Sequence, residues 1–503
     1  MGNGTFFDDV LSQDTDVVRN GLCVICKGSK DLCGKGHCPL MAKFYSRQPK
    51  SVTPSVTSTD IAGTSPPSVF VGRYGYPKVD IGPLLPQEFG DTSLLDSPER
   101  WVGRRSQDIV NMRFQLIRGK YRIDAKDFDK SGRIVDSVQE LAMTARPTDL
   151  ETRFDKRPAG RPVLDDSVEP FGPSGRMSEM RVGNSRFERQ LERNFYDTDL
   201  RARDAVVEAY RSGTQVSDIN KAFSVGTMGV GKDRRFVPTR WSITAVDDII
   251  SKDLAERTRH NNTIDEFRVY FWNQLGNRWA IIMMPCSWRF EMIEAWYPKS
   301  SWNTFSSNID FEVDSEGFDG RTTYARMGGS YYAARLAACE MLERENRSAG
   351  VIVCREIHPE YDVPLGVWNI RENMRAALRY DPVTSDTLEG LGPSIDSFMD
   401  VHWSTWKIKS EIAREWKVQK RLDDFFRGGW DGTERCSRWM ERHQPDGLRR
   451  GNRSLEREVP HHRMRTRPVP VRFRIVRLLP QPLLGVHPRM RPLPGARGRS
   501  HPA

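Results

Sequence analysis

The sequence predicts a mixed α/β (α+β) protein with a small N-terminal zinc module, a larger mixed α/β body and a disordered C-terminal tail. Two apolar segments, residues 267–272 and 279–284, flank a Gly-Asn pair and are typical of a β-hairpin. Residues 325–346 show the periodicity of a helix, and an apolar segment typical of a buried strand follows at 350–357. Four cysteines lie within 16 residues near the N-terminus, in a segment too small to build an apolar core of its own.

The charge of the chain is concentrated at its C-terminal end. The formal net charge is +10, but residues 427–503 contain 18 arginines, no lysine and six acidic residues. Subtracting these from totals of 77 basic and 67 acidic residues leaves 59 and 61 in residues 1–426, a net charge of −2. The body therefore gives no support for strong binding to DNA through phosphate contacts alone.

Residues 427–503 also contain ten prolines and little helical periodicity. Two interpretations stay open for this segment. One is a frameshift or read-through past the natural stop, which would end the functional chain near Phe426. The other is a disordered basic arm that binds nucleic acid.

The remaining composition indicates a cytoplasmic protein. Hydrophobic residues make up 38% of 503 residues, which suits a globular protein of two or three domains. No N-terminal segment resembles a signal peptide, and no run of 18 apolar residues suggests a membrane span. The eight cysteines do not form a disulfide framework.

The order of segments predicts six regions and several smaller elements. The regions are an N-terminal zinc module (1–45), a Pro/Ser/Thr-rich linker (46–67), two body regions (68–240 and 241–407), a helix ending in a binding peptide (408–426) and the tail (427–503). The smaller elements are a strand at 68–72, a loop at 77–86, an extended connection at 145–175, an interrupted helix at 187–212, and helices at 241–259 and 368–379.

The cysteine cluster predicts a metal site. Cys23, Cys26, Cys33 and Cys38 provide four thiolates at a spacing that can close a tetrahedral site for structural Zn²⁺. The alternatives are an iron–sulfur cluster, replacement of one thiolate by His37, and four unligated cysteines.

The motif Q-x-x-L-x-x-F-F spans Gln419 to Phe426 and predicts binding to the DNA sliding clamp. Gln419 suits a small polar pocket, while Leu422, Phe425 and Phe426 fall on one side of a tight helical turn. The alternative is that these apolar residues dock a C-terminal helix on the body.

Two basic segments are candidates for contact with nucleic acid. Arg73, Tyr74, Gly75 and Tyr76 form an aromatic–basic cluster beside a strand, which suits base stacking but is also typical of ordinary packing at a strand edge. The segment 226–233 matches G-x-x-x-x-G-K but lacks the Ser or Thr and the following helix of a phosphate-binding loop. It predicts a glycine-rich surface loop from which Lys232, Arg234 and Arg235 contact a nucleic-acid backbone.

An enzymatic alternative is a metal-dependent DNA nuclease. Glu356 and His358 alternate at the end of the predicted strand and would share a metal with Asp247 or Asp248. Pro359 argues that the strand ends there, which favours an ordinary polar strand end. The residues do not identify a catalytic set.

Four features together resemble the archaeal Nre family of DNA repair proteins over about residues 5–426. They are the four-cysteine cluster, the stretch 68–77, the block 235–248 and the Q-x-x-L-x-x-F-F motif. The resemblance implies repair of DNA damage and binding to the replication clamp (PCNA), with association with the nucleoid when clamp-bound. It places the clamp contact on Gln419, Leu422, Phe425 and Phe426, and zinc on the four cysteines. In such proteins the clamp peptide lies at the extreme C-terminus, whereas this chain continues for 77 residues.

Overall fold

Two six-stranded sheets and the helices packed on them form the described part of the chain. The computed structural model describes residues 22–28, 32–34, 38, 40–41, 55–126, 132–304 and 306–418. Within these residues the strands are β1 (Asp60–Ser65), β2 (Val69–Val71), β3 (Lys78–Leu85), β4 (Ile117–Asp124), β5 (Thr148–Phe154), β6 (Ser174–Val182), β7 (Phe267–Gln274), β8 (Asn277–Met284), β9 (Arg289–Trp296), β10 (Asp310–Glu316), β11 (Gly350–Ile357) and β12 (Val383–Ser385).

The α-helices of the same residues are α1 (Leu22–Cys26), α2 (Ser106–Phe114), α3 (Arg133–Ala142), α4 (Arg189–Tyr196), α5 (Ala202–Arg211), α6 (Val216–Ser224), α7 (Thr239–Thr258), α8 (Gly329–Glu345), α9 (Trp368–Ala377), α10 (Gly392–Phe398), α11 (Trp403–Lys409) and α12 (Glu411–Val418). The predicted mixed α/β class is confirmed.

The first sheet has the strand order β1-β5-β6-β4-β3-β2. Its neighbouring strands are antiparallel except for β4 and β6, which run parallel. Val135, Val138 and Leu141 on one side of α3 are buried in the same apolar cluster as Val79 and Ile81 of β3. The β2–β3 hairpin therefore lies at the edge of this sheet, and α3 packs against it.

The second sheet has the order β10-β9-β11-β8-β7-β12, with β11 parallel to β9 and antiparallel to β8. Helices cover both of its faces. Val353 of β11 lies in the cluster formed with α7, α8 and α9, while its neighbour Cys354 lies in the cluster formed with α11 and α12. Because both faces are buried, every residue of β11 is buried, which explains its apolar run at 350–354. Its two charged residues, Arg355 and Glu356, have polar partners inside the fold.

Most of the predicted elements have the expected type. The hairpin forms from β7 and β8, with Gln274 paired to Asn277 across the turn. The helix interrupted near 196–199 is the pair α4 and α5, and α7, α8, β11 and α9 occupy the predicted segments.

Three predicted elements were wrong. Residues 77–86 contain β3, whose pairing with β4 skips Gly82 and Pro83 and so tolerates the proline that suggested a loop. The connection 145–175 contains β5, in which buried and exposed residues alternate. The final helix is two helices, because the chain breaks at Ser410, whose hydroxyl bonds the buried Glu291. Among the described residues, no helix has the length and apolarity to cross a membrane.

Candidate nucleic-acid interface

A cavity of about 470 Å³ lies where five parts of the fold meet. Its walls come from the tip of the β2–β3 hairpin, the N-terminal half of α7, the start of α8, the connection near Asp166, and the segment Ile25–Lys27, which contains the second cysteine. The amide of Val71 donates to the Thr239 hydroxyl at 2.9 Å, which fixes the hairpin beside the start of α7. A volume of this size lies within the range of roughly 300–1,000 Å³ that is usual for small-molecule sites.

The hairpin tip presents the aromatic–basic cluster predicted from the sequence. Arg73 lines the cavity, and its guanidinium carbon lies 4.9 Å from the ring centroid of Tyr74. The Tyr74 side chain is 79% exposed, so it is not packed at a strand edge. The tip turns at Gly75, which has a φ of +81° and leaves no room for a side chain, since a Cβ there would lie 2.6 Å from Arg122 Nη2.

Three further aromatic residues lie at the cavity, and of these the sequence singled out only Tyr76, as part of the aromatic–basic cluster. Trp241 of α7 and Tyr324 before α8 line the cavity and are 45% and 64% exposed. Tyr76 is 40% exposed and packs edge-on against Trp241, with ring centroids 5.1 Å apart. The only sequence signal for Trp241 was that it falls within a stretch that carries the family resemblance, and Tyr324 had none.

The charged groups of the cavity are of both signs. Arg73, Arg240 and Lys27 contribute positive charge, and Asp166 and Asp248 contribute negative charge. Arg240 lies 3.4 Å from a carboxylate oxygen of Asp165, just behind the wall.

The two acidic residues are in contact with other side chains. Asp248 pairs with Arg335 and, at 2.8 Å, with Lys252. Burial raises the pKa of Asp166, although Lys27 and Arg240 oppose that shift, and its carboxylate accepts a hydrogen bond from the Trp302 indole. Asp166 and Asp248 are thus both held by neighbouring groups of the fold, and Arg73 contributes positive charge at the hairpin tip.

The cysteine segment forms one wall of the cavity and is anchored by a buried ion-pair network. Lys27 is 5% exposed, and its ammonium lies 3.0 Å from Glu294 and 3.4 Å from Glu312. Burial opposes the charge of Lys27, but the carboxylates of Glu294 and Glu312 outweigh it and raise the pKa of the ammonium. Arg355 completes the network, with Nη1 at 2.6 Å from Glu294.

The four predicted zinc ligands lie near one another without forming a closed site. Burial and the neighbouring thiols of Cys38, Cys26 and Cys33 raise the pKa of Cys23 to about 11. A tetrahedral zinc site with bonds of about 2.3 Å needs sulfur atoms roughly 3.8 Å apart. Among the described residues, however, no three cysteine sulfurs lie within 4.8 Å of one another. The donor set suits zinc, and the thiols would have to draw together to bind it.

The three basic residues of the glycine-rich loop have different environments. Arg234 is buried, and its guanidinium donates to the carbonyls of Gly229, Phe195, Asn194 and Asp197. This side chain therefore holds the loop together and is not presented to a nucleic acid. Lys232 and Arg235 are exposed. Residues Gly231–Asp233 form a 3₁₀ turn, and the next α-helix begins at Thr239, so the loop lacks the helix that cradles phosphates.

The residues of the nuclease alternative are divided between two places. Glu356 and His358 lie near Asp400, and these three are the group of potential metal ligands found in the described residues. Asp247 and Asp248 are not part of this group. Asp247 is fully buried and accepts two hydrogen bonds from Arg371 at 2.8 and 3.0 Å.

Glu356 itself has the environment of a structural residue. It accepts hydrogen bonds from the backbone amides of Val401 at 2.6 Å and Asp400 at 3.2 Å, and it also contacts His358 and Tyr297. A carboxylate with four partners has few lone pairs left for an ion. The predicted sharing of one metal by Glu356, His358 and Asp247 or Asp248 is therefore not supported by the geometry.

The clamp peptide residues Gln419, Leu422, Phe425 and Phe426 lie outside the described residues, as do His37, Cys436 and the tail 427–503. The helix before the peptide, α12, ends at Val418. Trp416 of α12 packs edge-on against Phe267 at 5.4 Å between ring centroids, so this tryptophan belongs to the core of the second sheet.

Comparisons with known proteins identify the family of the chain. Residues 32–303 match the family model "Archaeal Nre, N-terminal", and residues 316–425 match "Archaeal Nre, C-terminal". The DNA repair protein NreB of Archaeoglobus fulgidus is 41% identical over 405 residues, which cover 80% of this chain and 99% of that protein.

Two further relatives are more distant. The DNA repair protein NreA of Archaeoglobus fulgidus is 33% identical over 73% of this chain and 91% of that protein. The DNA repair protein NreA of Haloferax volcanii is 31% identical over 71% of this chain and 88% of that protein. No solved structure matches the chain. The chain is a member of the archaeal Nre family.

Proposed function

We propose that the protein is a DNA repair factor that is brought to DNA by the sliding clamp (PCNA) and contacts DNA at the cavity beside Arg73 and Tyr74. The observation that carries the repair role is the 41% identity to a named DNA repair protein over nearly its whole length. The exposed aromatic rings and arginine at the hairpin tip support the DNA contact, because this combination suits bases and phosphates together.

Recruitment by the clamp is proposed from the sequence of the peptide and its place in the chain. Gln419, Leu422, Phe425 and Phe426 follow directly after α12, the last described helix. Burial of one apolar side chain contributes roughly 1.5–3 kcal/mol, so three such side chains are consistent with a dissociation constant in the micromolar range. Tethering at the clamp raises the local concentration of the protein at DNA, and a nearly neutral body then suffices.

Zinc is proposed as the ligand of the four cysteines, where it would stabilise the cysteine segment that lines the cavity. The thiols are the donor type that a structural Zn²⁺ prefers, and their mutual proximity raises the pKa of Cys23. Bound zinc would stabilise the thiolate forms and fix the loop. No catalytic role is assigned to it.

A pull-down tests the recruitment. The full chain is incubated with the sliding clamp of the same organism, as wild type, as the double variant Phe425→Ala/Phe426→Ala, and as the control Phe89→Ala. Phe89 is 68% exposed on the body, so its substitution removes a ring without touching the peptide. We expect the clamp to be retained by wild type and control and lost from the double variant. If the double variant still retained the clamp, the peptide would not be the clamp-binding segment.

A further inference from the structure

We propose that the cavity beside Arg73, Trp241 and Tyr324 binds one unpaired nucleotide of DNA, with its base stacked on an exposed aromatic ring and its phosphate at the mouth. This inference rests on the proposed DNA contact and specifies the form of DNA that the site takes.

The aromatic residues supply the first argument. Eleven large hydrophobic side chains are exposed in the described residues, and four of them lie at this one cavity. Trp241 and Tyr324 line it, while Tyr74 and Tyr76 contact the lining residues Arg73 and Trp241. Exposed rings gathered at a cavity leave aromatic surface in contact with water, which is the arrangement that stacks bases in single-strand binding sites.

The positive groups at the mouth supply the second argument. Arg73 stands on the hairpin tip beside Tyr74, so a base on the ring would place its phosphate near the guanidinium. Gly328 and Gly329 line the cavity at the start of the 17-residue helix α8, whose N-terminus carries partial positive charge. This charge adds to the attraction of the arginine for a phosphate.

The size and depth of the site distinguish an unpaired nucleotide from a paired duplex. A volume of about 470 Å³ admits a nucleotide but not a base pair in its helix. A duplex held along its backbone needs an extended basic surface, whereas residues 1–426 contain 59 basic and 61 acidic residues. A nucleotide that has left the stack needs only a ring to stack on and a local positive charge.

A binding comparison tests the inference with the full chain. Four probes are compared by fluorescence anisotropy: a fully paired duplex, the same duplex with one bulged nucleotide, the same bulge with an abasic site in place of the nucleotide, and free deoxyadenosine monophosphate as competitor. We expect the bulged duplex to bind at least about 10-fold more tightly than the paired and abasic duplexes, since stacking of one base is worth that much. Free nucleotide should compete only weakly.

Single substitutions test whether the preference for the bulged duplex arises at this cavity. Trp241→Ala and Tyr324→Ala change exposed rings, and Arg73→Ala changes a half-buried side chain at the hairpin tip, so folding is not expected to fail. Each should reduce the preference for the bulged probe, while Tyr196→Ala, a 72% exposed tyrosine outside the cavity lining, should retain it. A 2-aminopurine placed at the bulge should be quenched by wild type and not by Trp241→Ala.

The outcomes separate this inference from the proposed function. Equal binding of paired, bulged and abasic probes would overturn the nucleotide site and leave DNA binding standing. Strong competition by the free nucleotide would overturn the assignment to DNA. Binding of none of the probes would overturn both the site and the proposed DNA contact, whereas the clamp pull-down would still report on recruitment alone.

Discussion

The ammonium of Lys27 lies 3.0 Å from a carboxylate oxygen of Glu294, in the middle of the second sheet, although the two residues are 267 positions apart. This buried ion pair attaches the cysteine segment to β9, and Glu312 of β10 adds a second carboxylate at 3.4 Å. The wall of the cavity is thus held by the side chain that follows Cys26 directly, together with the apolar packing of Val24 and Leu40.

Replacing Lys27 by Met should lower the free energy of unfolding by about 3–5 kcal/mol, because Glu312 is left buried without its cation. Glu294 keeps its contact with Arg355. The double variant Lys27→Met/Glu312→Gln should lose less stability than Lys27→Met alone, since the stranded charge is removed. Urea unfolding monitored by circular dichroism measures the free energy of unfolding of wild type and the two variants.

The control for this prediction is Lys407→Met, which breaks an ion pair with the exposed Glu389. It should change stability little, as is usual for surface pairs. Equal losses for Lys27→Met and the double variant would contradict the electrostatic explanation and favour simple loss of packing.

Asp96 should make the stability of the protein depend on pH in the acid range. Burial disfavours its charged form, but Lys221 at 3.2 Å and Arg113 outweigh it, so the pKa of Asp96 is lowered. A carboxyl whose folded pKa lies below its unfolded value of about 3.9 contributes its full stability above that value. The contribution is lost as the pH falls through the folded pKa.

Asp96→Asn should therefore cost about 3–5 kcal/mol at pH 7, because the buried Arg113 loses this carboxylate while Lys221 retains that of Asp218. The difference in stability from wild type should narrow below about pH 4. Urea midpoints between pH 7 and pH 3 test this. Asp108→Asn, at an exposed pair with Arg105, is the control and should follow wild type throughout. If the urea midpoints of wild type and Asp96→Asn differed by the same amount at all pH values, the pH dependence expected from the Asp96 carboxyl would be contradicted.

The purified full chain should contain one zinc per molecule, measured by mass spectrometry of the metal content. Cys23→Ser and Cys26→Ser should each lose it, because a site with three thiolates binds zinc far more weakly. Cys286→Ser, which alters a cysteine outside the cluster, should retain it. Visible absorption with iron and sulfide in place of zinc would establish the iron–sulfur alternative.

Glu356 should act as a structural residue and not as a metal ligand. Glu356→Gln is expected to cost about 1–3 kcal/mol, because one of its oxygens becomes a donor that faces the amides of Asp400 and Val401. Mn²⁺ should not change the melting temperature of wild type or variant. A Mn²⁺-dependent rise in wild type that is absent in Glu356→Gln would restore the metal-dependent alternative.

The sequence by itself determined the elements whose pattern is local. The hairpin at Gly276 and the buried strand at 350–357 follow from alternation, turn residues and continuous apolar runs, all of which act between close neighbours. The cysteine cluster and the clamp motif are also contained in a few consecutive residues, so the sequence alone predicts a zinc site and a binding peptide, and both stay predictions. Pattern alone failed at β3 and β5, where a proline or a polar composition concealed strands that are set by pairing across the sheet.

Only the tertiary structure decided which candidate residues meet. It placed Arg73 and Tyr74 beside Trp241 and Tyr324, which are far apart in the chain, and it turned Arg234 inward to four carbonyls. It also separated Asp247 from Glu356 by giving each its own partners. The physical reason is that burial and long-range pairing determine whether a charged side chain is available to a ligand or is used to hold the fold, and neither can be read from spacing along the chain.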